Sequence, residues 1–152
     1  MIVLDQSMEV TMKEAKDLAI DSFYRWSQAF NSRNIEGMLE EMHFPHYRLS
    51  GRNDVKIWET SEEHQIMLED DTQKLIDENW GETTTTDMSA VQFGDKKVHL
   101  TFLQTRRHPD GTPYNSFQTL WIFIEVNGRG GVKIRSSFLD NSLSDSNLFL
   151  ND

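Results

Sequence analysis

The chain has 152 residues, of which 37% are hydrophobic, and sets 15 Lys and Arg against 25 Asp and Glu for a formal net charge of -10. That length fits one domain spanning 1–152, with no Pro/Gly/Ser-rich stretch to divide it, and four Trp, nine Phe and three Tyr supply the bulk of a packed core. An acidic surface repels phosphate backbones and anionic lipids, the lack of cysteine excludes disulfides, thiolate nucleophiles and Cys-based zinc sites, and no apolar run is long enough to span a bilayer. Met1 to Val10 lacks the basic and then apolar segments of a signal peptide, so the expectation is a cytoplasmic protein with neither nucleic acid nor membrane as partner.

From Met12 to Phe30, the apolar residues Ala15, Leu18, Ala19, Phe23, Trp26 and Phe30 recur at three- and four-residue steps, which predicts a helix with one buried stripe. Asn31-Ser32-Arg33-Asn34 interrupts it, and Asn34 can cap a short second helix carrying Ile35, Met38, Leu39 and Met42 inward. Pro45 stops that helix. Tyr47 to Ser50 and Val55 to Trp58 then flank the turn-rich Gly51-Arg52-Asn53-Asp54 and read as short paired strands.

Thr60 followed by Glu63 matches a capping box, and Ile66, Met67, Leu75 and Ile76 extend helical turns towards Asn79, with Glu69-Asp70-Asp71 as a solvated face or a break. Beyond Trp80-Gly81 the sequence turns β-branched and aromatic. Strands are predicted at Thr83 to Phe93, Lys97 to Arg107, Tyr114 to Val126 and Val132 to Phe138, joined by Gly94-Asp95, Pro109-Asp110-Gly111 and Asn127-Gly128. Short connections between long strands imply antiparallel neighbours with the helices on one face. Gly128, Gly130 and Gly131 read as a turn; no helix follows them, so they form no phosphate loop.

Helix, short helix, strands, helix and a meander of long strands resemble the nuclear transport factor 2-like superfamily, which includes ketosteroid isomerase, scytalone dehydratase and the SnoaL-type polyketide cyclases. The resemblance covers Met12 to Leu139. It is carried by Ala29-Phe30-Asn31-Ser32-Arg33-Asn34-Ile35-Glu36-Gly37-Met38, similar to the helix-loop-helix signature, and by His43-Phe44-Pro45-His46-Tyr47-Arg48. Lys97-Val98-His99, Arg106-Arg107 with Asp110-Gly111, and Ile134-Arg135-Ser136-Ser137-Phe138 look like a bacterial branch. The resemblance implies an α+β fold, a cystatin-like roll in which N-terminal helices cover a cone-shaped, strongly curved antiparallel sheet enclosing a pocket, and often a homodimer. It implies no single reaction. Aligned through Asn31, Trp26 falls where ketosteroid isomerase carries its oxyanion-binding Tyr, and Ser50 where it carries its carboxylate base. Asn31 falls where the dehydratases carry the Asp partner of a catalytic His. An indole N–H can donate, but an unaided Ser is a poor base and an amide cannot support an imidazolium.

If Ser50 faces the interior, as the isomerase resemblance implies, strand alternation brings His46 and Arg48 to the same side, which makes His46 the candidate general base. His43 and His46 span a proline with no further ligand in the segment, so no metal is expected, and no cofactor. Arg48, Arg106, Arg107 and Arg135 are either an arginine fork for an anion or salt-bridge partners of the many acids, and only one of Arg106 and Arg107 can face inward. Trp58, Trp80, Phe117, Trp121 and Phe123 are either pocket walls or core. Leu120, Ile122, Ile124 and Val126 share the opposite parity, leaving an apolar sheet face for a second copy.

Three readings stay open: a binding domain for a small apolar or aromatic ligand, held by Trp26, Asn31, His46, Arg48, Ser50, Trp58, Arg106 and Trp121; a lyase or isomerase using His46; and a protein-interaction module.

Overall fold

The computed structural model describes residues 14–49 and 54–137. Helix α1 (Ala15–Asn31) buries Ala15, Ala19, Ser22, Phe23, Trp26 and Ala29, the stripe that the apolar spacing predicts. It ends where Arg33 takes a positive φ of 60° and the Asn34 amide donates back to the Ala29 carbonyl, a closure that satisfies carbonyls of the last turn. Asn34 then caps α2 (Ile35–Glu40), its side chain accepting from the Gly37 amide. Helix α3 (Ser61–Asp77) starts at Thr60, whose hydroxyl accepts from the Glu63 amide. No break occurs at Glu69-Asp70-Asp71. The inner face of α3 also differs from expectation. His64, Leu68, Thr72 and Leu75 are buried at helical spacing, whereas Ile66 and Ile76 face solvent.

Six strands form one sheet: β1 (Met42–Leu49), β2 (Val55–Trp58), β3 (Glu82–Phe93), β4 (Lys97–Arg107), β5 (Pro113–Val126) and β6 (Arg129–Ser137), in the order β2-β1-β6-β5-β4-β3. This overturns the expected antiparallel cone. β1 runs parallel to β6, so the sheet is mixed, and β2 and β3 lie at opposite ends of the order without pairing to each other, so the sheet is open and does not curl into a cone or close a pocket by itself. The meander β3–β6 is antiparallel, as its tight turns dictate. The parallel contact needs a long crossover, and the chain between β1 and β6 supplies it.

β1 begins well before Tyr47 and contains Pro45. A proline removes a ladder donor, and it sits where the β1–β6 register shifts between Met42 and Tyr47. Asn127 and Gly128 both take positive φ in the β5–β6 hairpin, as a tight primed turn requires. Gly130 and Gly131 are not part of that turn. They lie in β6, where a Cβ on Gly130 would stand 2.6 Å from the Leu18 carbonyl oxygen and one on Gly131 2.5 Å from the His43 ring. The missing side chain of Gly130 lets α1 press directly on the sheet, and that of Gly131 makes room for the His43 ring of β1.

The core lies between α1 and the inner sheet face. Phe23, Trp26, Phe102, Trp121 and Phe123 form one aromatic cluster, with Phe23–Phe102 ring centres 4.5 Å apart and Trp26–Trp121 4.7 Å apart. Glu41, at the α2–β1 junction and only 2% exposed, ties three segments together. It accepts from Ser22 and from both Nε and Nη2 of Arg25 on α1, and pairs with Arg129 of β6.

Candidate functional site

Between the sheet and the three helices lies a cavity that opens to solvent. It leaves about 80 Å³ for the centres of water-sized molecules, and about 690 Å³ of atom-free space with its mouth included. One water needs roughly 10–15 Å³ of such centre space, so the closed part suits a single ring with a short substituent. Its apolar walls are Trp26 and Phe30 of α1, Met38 of α2, Leu68 and Leu75 of α3, and Phe117 and Trp121 of β5. Trp26 stacks on Phe30 at 4.8 Å and meets Trp121 edge-on. The indole N–H of Trp26 is shielded from water and has no acceptor among the described residues.

The charged part of the lining is mostly cationic. Inward alternation brings Arg48 from β1, Arg106 from β4 and Arg135 from β6 to the cavity, joined by Asp71 of α3. Arg106 lies 3.8 Å from Glu78. Arg107 points the other way, to Thr84 and the Gly111 carbonyl. Burial, followed by repulsion from Arg48, pulls the Arg135 guanidinium down to about 9, against the favourable field of Asp71. Burial also lowers Arg48 and raises Asp71, the latter resisted by Arg135 and Arg48.

Behind Arg135 sits a box of rings. The Arg135 Nε donates to His46 Nε2 at 3.1 Å, which fixes that imidazole nitrogen as an acceptor and the ring as neutral. His46 is fully buried, stacks on Trp58, and stands 5.0 Å from His64, which Phe44 and Trp58 also enclose. Burial first, then the positive charge of Arg135, holds both imidazoles down to about 2. Neither ring nitrogen of His64 has a hydrogen-bond partner among the described residues.

Of the residues singled out from sequence, Trp26, Arg48, Arg106 and Trp121 meet at the cavity. His46 and Trp58 stand behind it. Asn31 lies outside the lining and clamps the end of α1 to β3, its Nδ2 donating to the Thr83 carbonyl and its Oδ1 accepting from the Thr83 amide. Ser50 lies outside the described residues. Asp71 was hidden in the sequence by its acidic neighbours; its signal was the stripe Leu68, Thr72, Leu75, to which position 71 belongs by its three-residue step from Leu68. Among the described residues no group of three or more His, Cys, Asp or Glu could hold a metal ion, and no helix is long and apolar enough to cross a membrane.

No family model matches the chain, and no curated protein matches it. Solved structures do. A cystatin-like-fold protein from Nostoc punctiforme superposes with a TM-score of 0.64 at 14% identity, covering 84% of this chain and 93% of its own. A nuclear transport factor 2-like protein from Shewanella oneidensis gives 0.62 at 11%, covering 80% and 96%. A ketosteroid isomerase-like protein from Erwinia carotovora gives 0.61 at 13%, covering 82% and 95%. At such identities the likeness concerns backbone architecture alone, and with the helix-covered mixed sheet described above it establishes that this chain has the nuclear transport factor 2-like fold.

Proposed function

We propose that this protein binds a small molecule with an aromatic or apolar body in the cavity between its helices and sheet. The observation that carries this reading is the wall of Trp26, Phe30, Phe117 and Trp121 around a space of single-ring size. Binding is favoured over a lyase or isomerase reaction at His46, because that imidazole does not line the cavity and its Nε2 lone pair is occupied by Arg135. A second copy of the chain covering the outer sheet face completes the proposal.

The experiment is calorimetric titration with single-ring aromatics, neutral and charged. Saturable binding is expected, and Thr72→Trp, which fills the cavity from α3, is expected to abolish it while circular dichroism stays unchanged. No saturable binding by any member of the series, or binding that survives Thr72→Trp, would overturn the reading.

A further inference from the structure

Among the described residues, the polar lining of the cavity holds more positive charge than negative. Arg106 has Glu78 beside it, whereas Arg48 and Arg135 face the single carboxylate of Asp71. Asp54 also acts on Arg48, but it is exposed, so solvent screens its contribution. Arg135 turns its polar atoms inward. Its Nε is spent on His46, and its Nη2, shielded from water, has no hydrogen-bond partner. Trp26 contributes a second donor of the same kind, also shielded and without an acceptor. Donors in this state cost free energy unless an acceptor reaches them, and a guanidinium is best matched by a carboxylate.

We propose that the ligand is an aromatic carboxylate, its ring against Trp26 and Trp121 and its carboxylate on Arg135 and Arg48. This rests on the reading of the cavity as a small-molecule site. His46 serves as a positioning residue: by accepting from Nε it fixes the plane of the Arg135 guanidinium and leaves the Nη2 edge for the ligand. Trp121, 5.8 Å from the same guanidinium, supports it from one side. One added negative charge offsets the excess of Arg48 and Arg135 over Asp71, so a monoanion suits the site better than a dianion.

The test is isothermal titration calorimetry of the full chain with benzoate and phenylacetate, each paired with its uncharged amide, benzamide and phenylacetamide. The carboxylates are expected to bind roughly ten-fold or more tightly than the amides, the scale of one charge-assisted hydrogen bond. Arg135→Gln and Arg48→Gln are expected to erase the preference. Asp71→Asn, which removes the competing carboxylate without deleting a guanidinium, is expected to strengthen carboxylate binding relative to amide binding. That arm stands even if Arg135→Gln does not fold. Amides that bind as tightly as carboxylates, or an Asp71→Asn protein with unaltered selectivity, would refute the anionic ligand and leave the aromatic site standing. Failure of acids and amides alike would refute the site itself.

Discussion

His46 and His64 are two neutral imidazoles enclosed by aromatic rings and backed by Arg135. In the unfolded chain each takes up a proton near its ordinary value of 6.5, whereas in the fold both are held down to about 2. Below about pH 6.5 the unfolded state therefore binds more protons than the folded one, and stability falls as pH drops towards 2, by about 1.4 kcal/mol per pH unit for each histidine; above that range the pair contributes no slope. Asp71, raised by burial, acts in the opposite sense, but only within the carboxylate range. Urea titrations at about pH 7.5 and about pH 5.5 measure the slope. Because neither nitrogen of His64 is bonded, His64→Phe is expected to stabilise the protein by on the order of 1 kcal/mol at the higher pH and to remove one proton from the slope. An unchanged slope would mean that His64 charges within the folded protein.

At the scale of the elements, α1 is held at its C-terminal end by the paired bonds of Asn31 to the backbone of Thr83. A carboxylate there keeps the acceptor, loses the donor and faces the Thr83 carbonyl. Asn31→Asp is accordingly expected to cost about 1–3 kcal/mol in a denaturant titration. The same clamp shows where sequence reading reached its limit. The stripe of α1, the Asn34 and Thr60 caps and the strands β3 to β5 were legible, because periodicity and turn chemistry are local. The inner face of α3 was not: Ile66 and Ile76 outweighed the polar His64, Asp71 and Thr72, and which side of an amphipathic helix is buried depends on what it packs against. The mixed sheet was equally hidden, since nothing in the residues of β1 announces β6 as its neighbour. Arg48 was placed on the cavity side by alternation from a neighbouring position, yet its meeting with Arg135 required the parallel register Arg48↔Arg135.

For the whole molecule, the outer sheet face is where the proposed second copy would sit. Leu49, Val55 and Ile57 at one edge are exposed, and Leu120, Ile122 and Ile134 are half-buried on the face opposite Trp121 and Arg135. A second copy laid on this face would remove that apolar surface from water. Sedimentation equilibrium is expected to give twice the 17.8 kDa chain mass, and Ile122→Lys to shift the population to monomer; a monomeric parent protein would remove the second copy from the proposal.

The parallel contact of β1 with β6 also governs when the molecule becomes itself. His46 and Arg135 are 89 residues apart in sequence, and closing a loop of that length demands chain entropy before any contact repays it. The meander from β3 to β6 can zip through its hairpins first, but the β1–β2 pair cannot join the rest of the sheet until β6 is laid down beside β5. During synthesis, therefore, α1, α2 and β1 emerge early and wait, their apolar stripes unprotected, while the strand that completes them is still being made. The cavity is complete only when Arg48 of β1 meets Arg135 of β6, so a chain caught short of that contact would carry the helices and hairpins of the fold without the cavity.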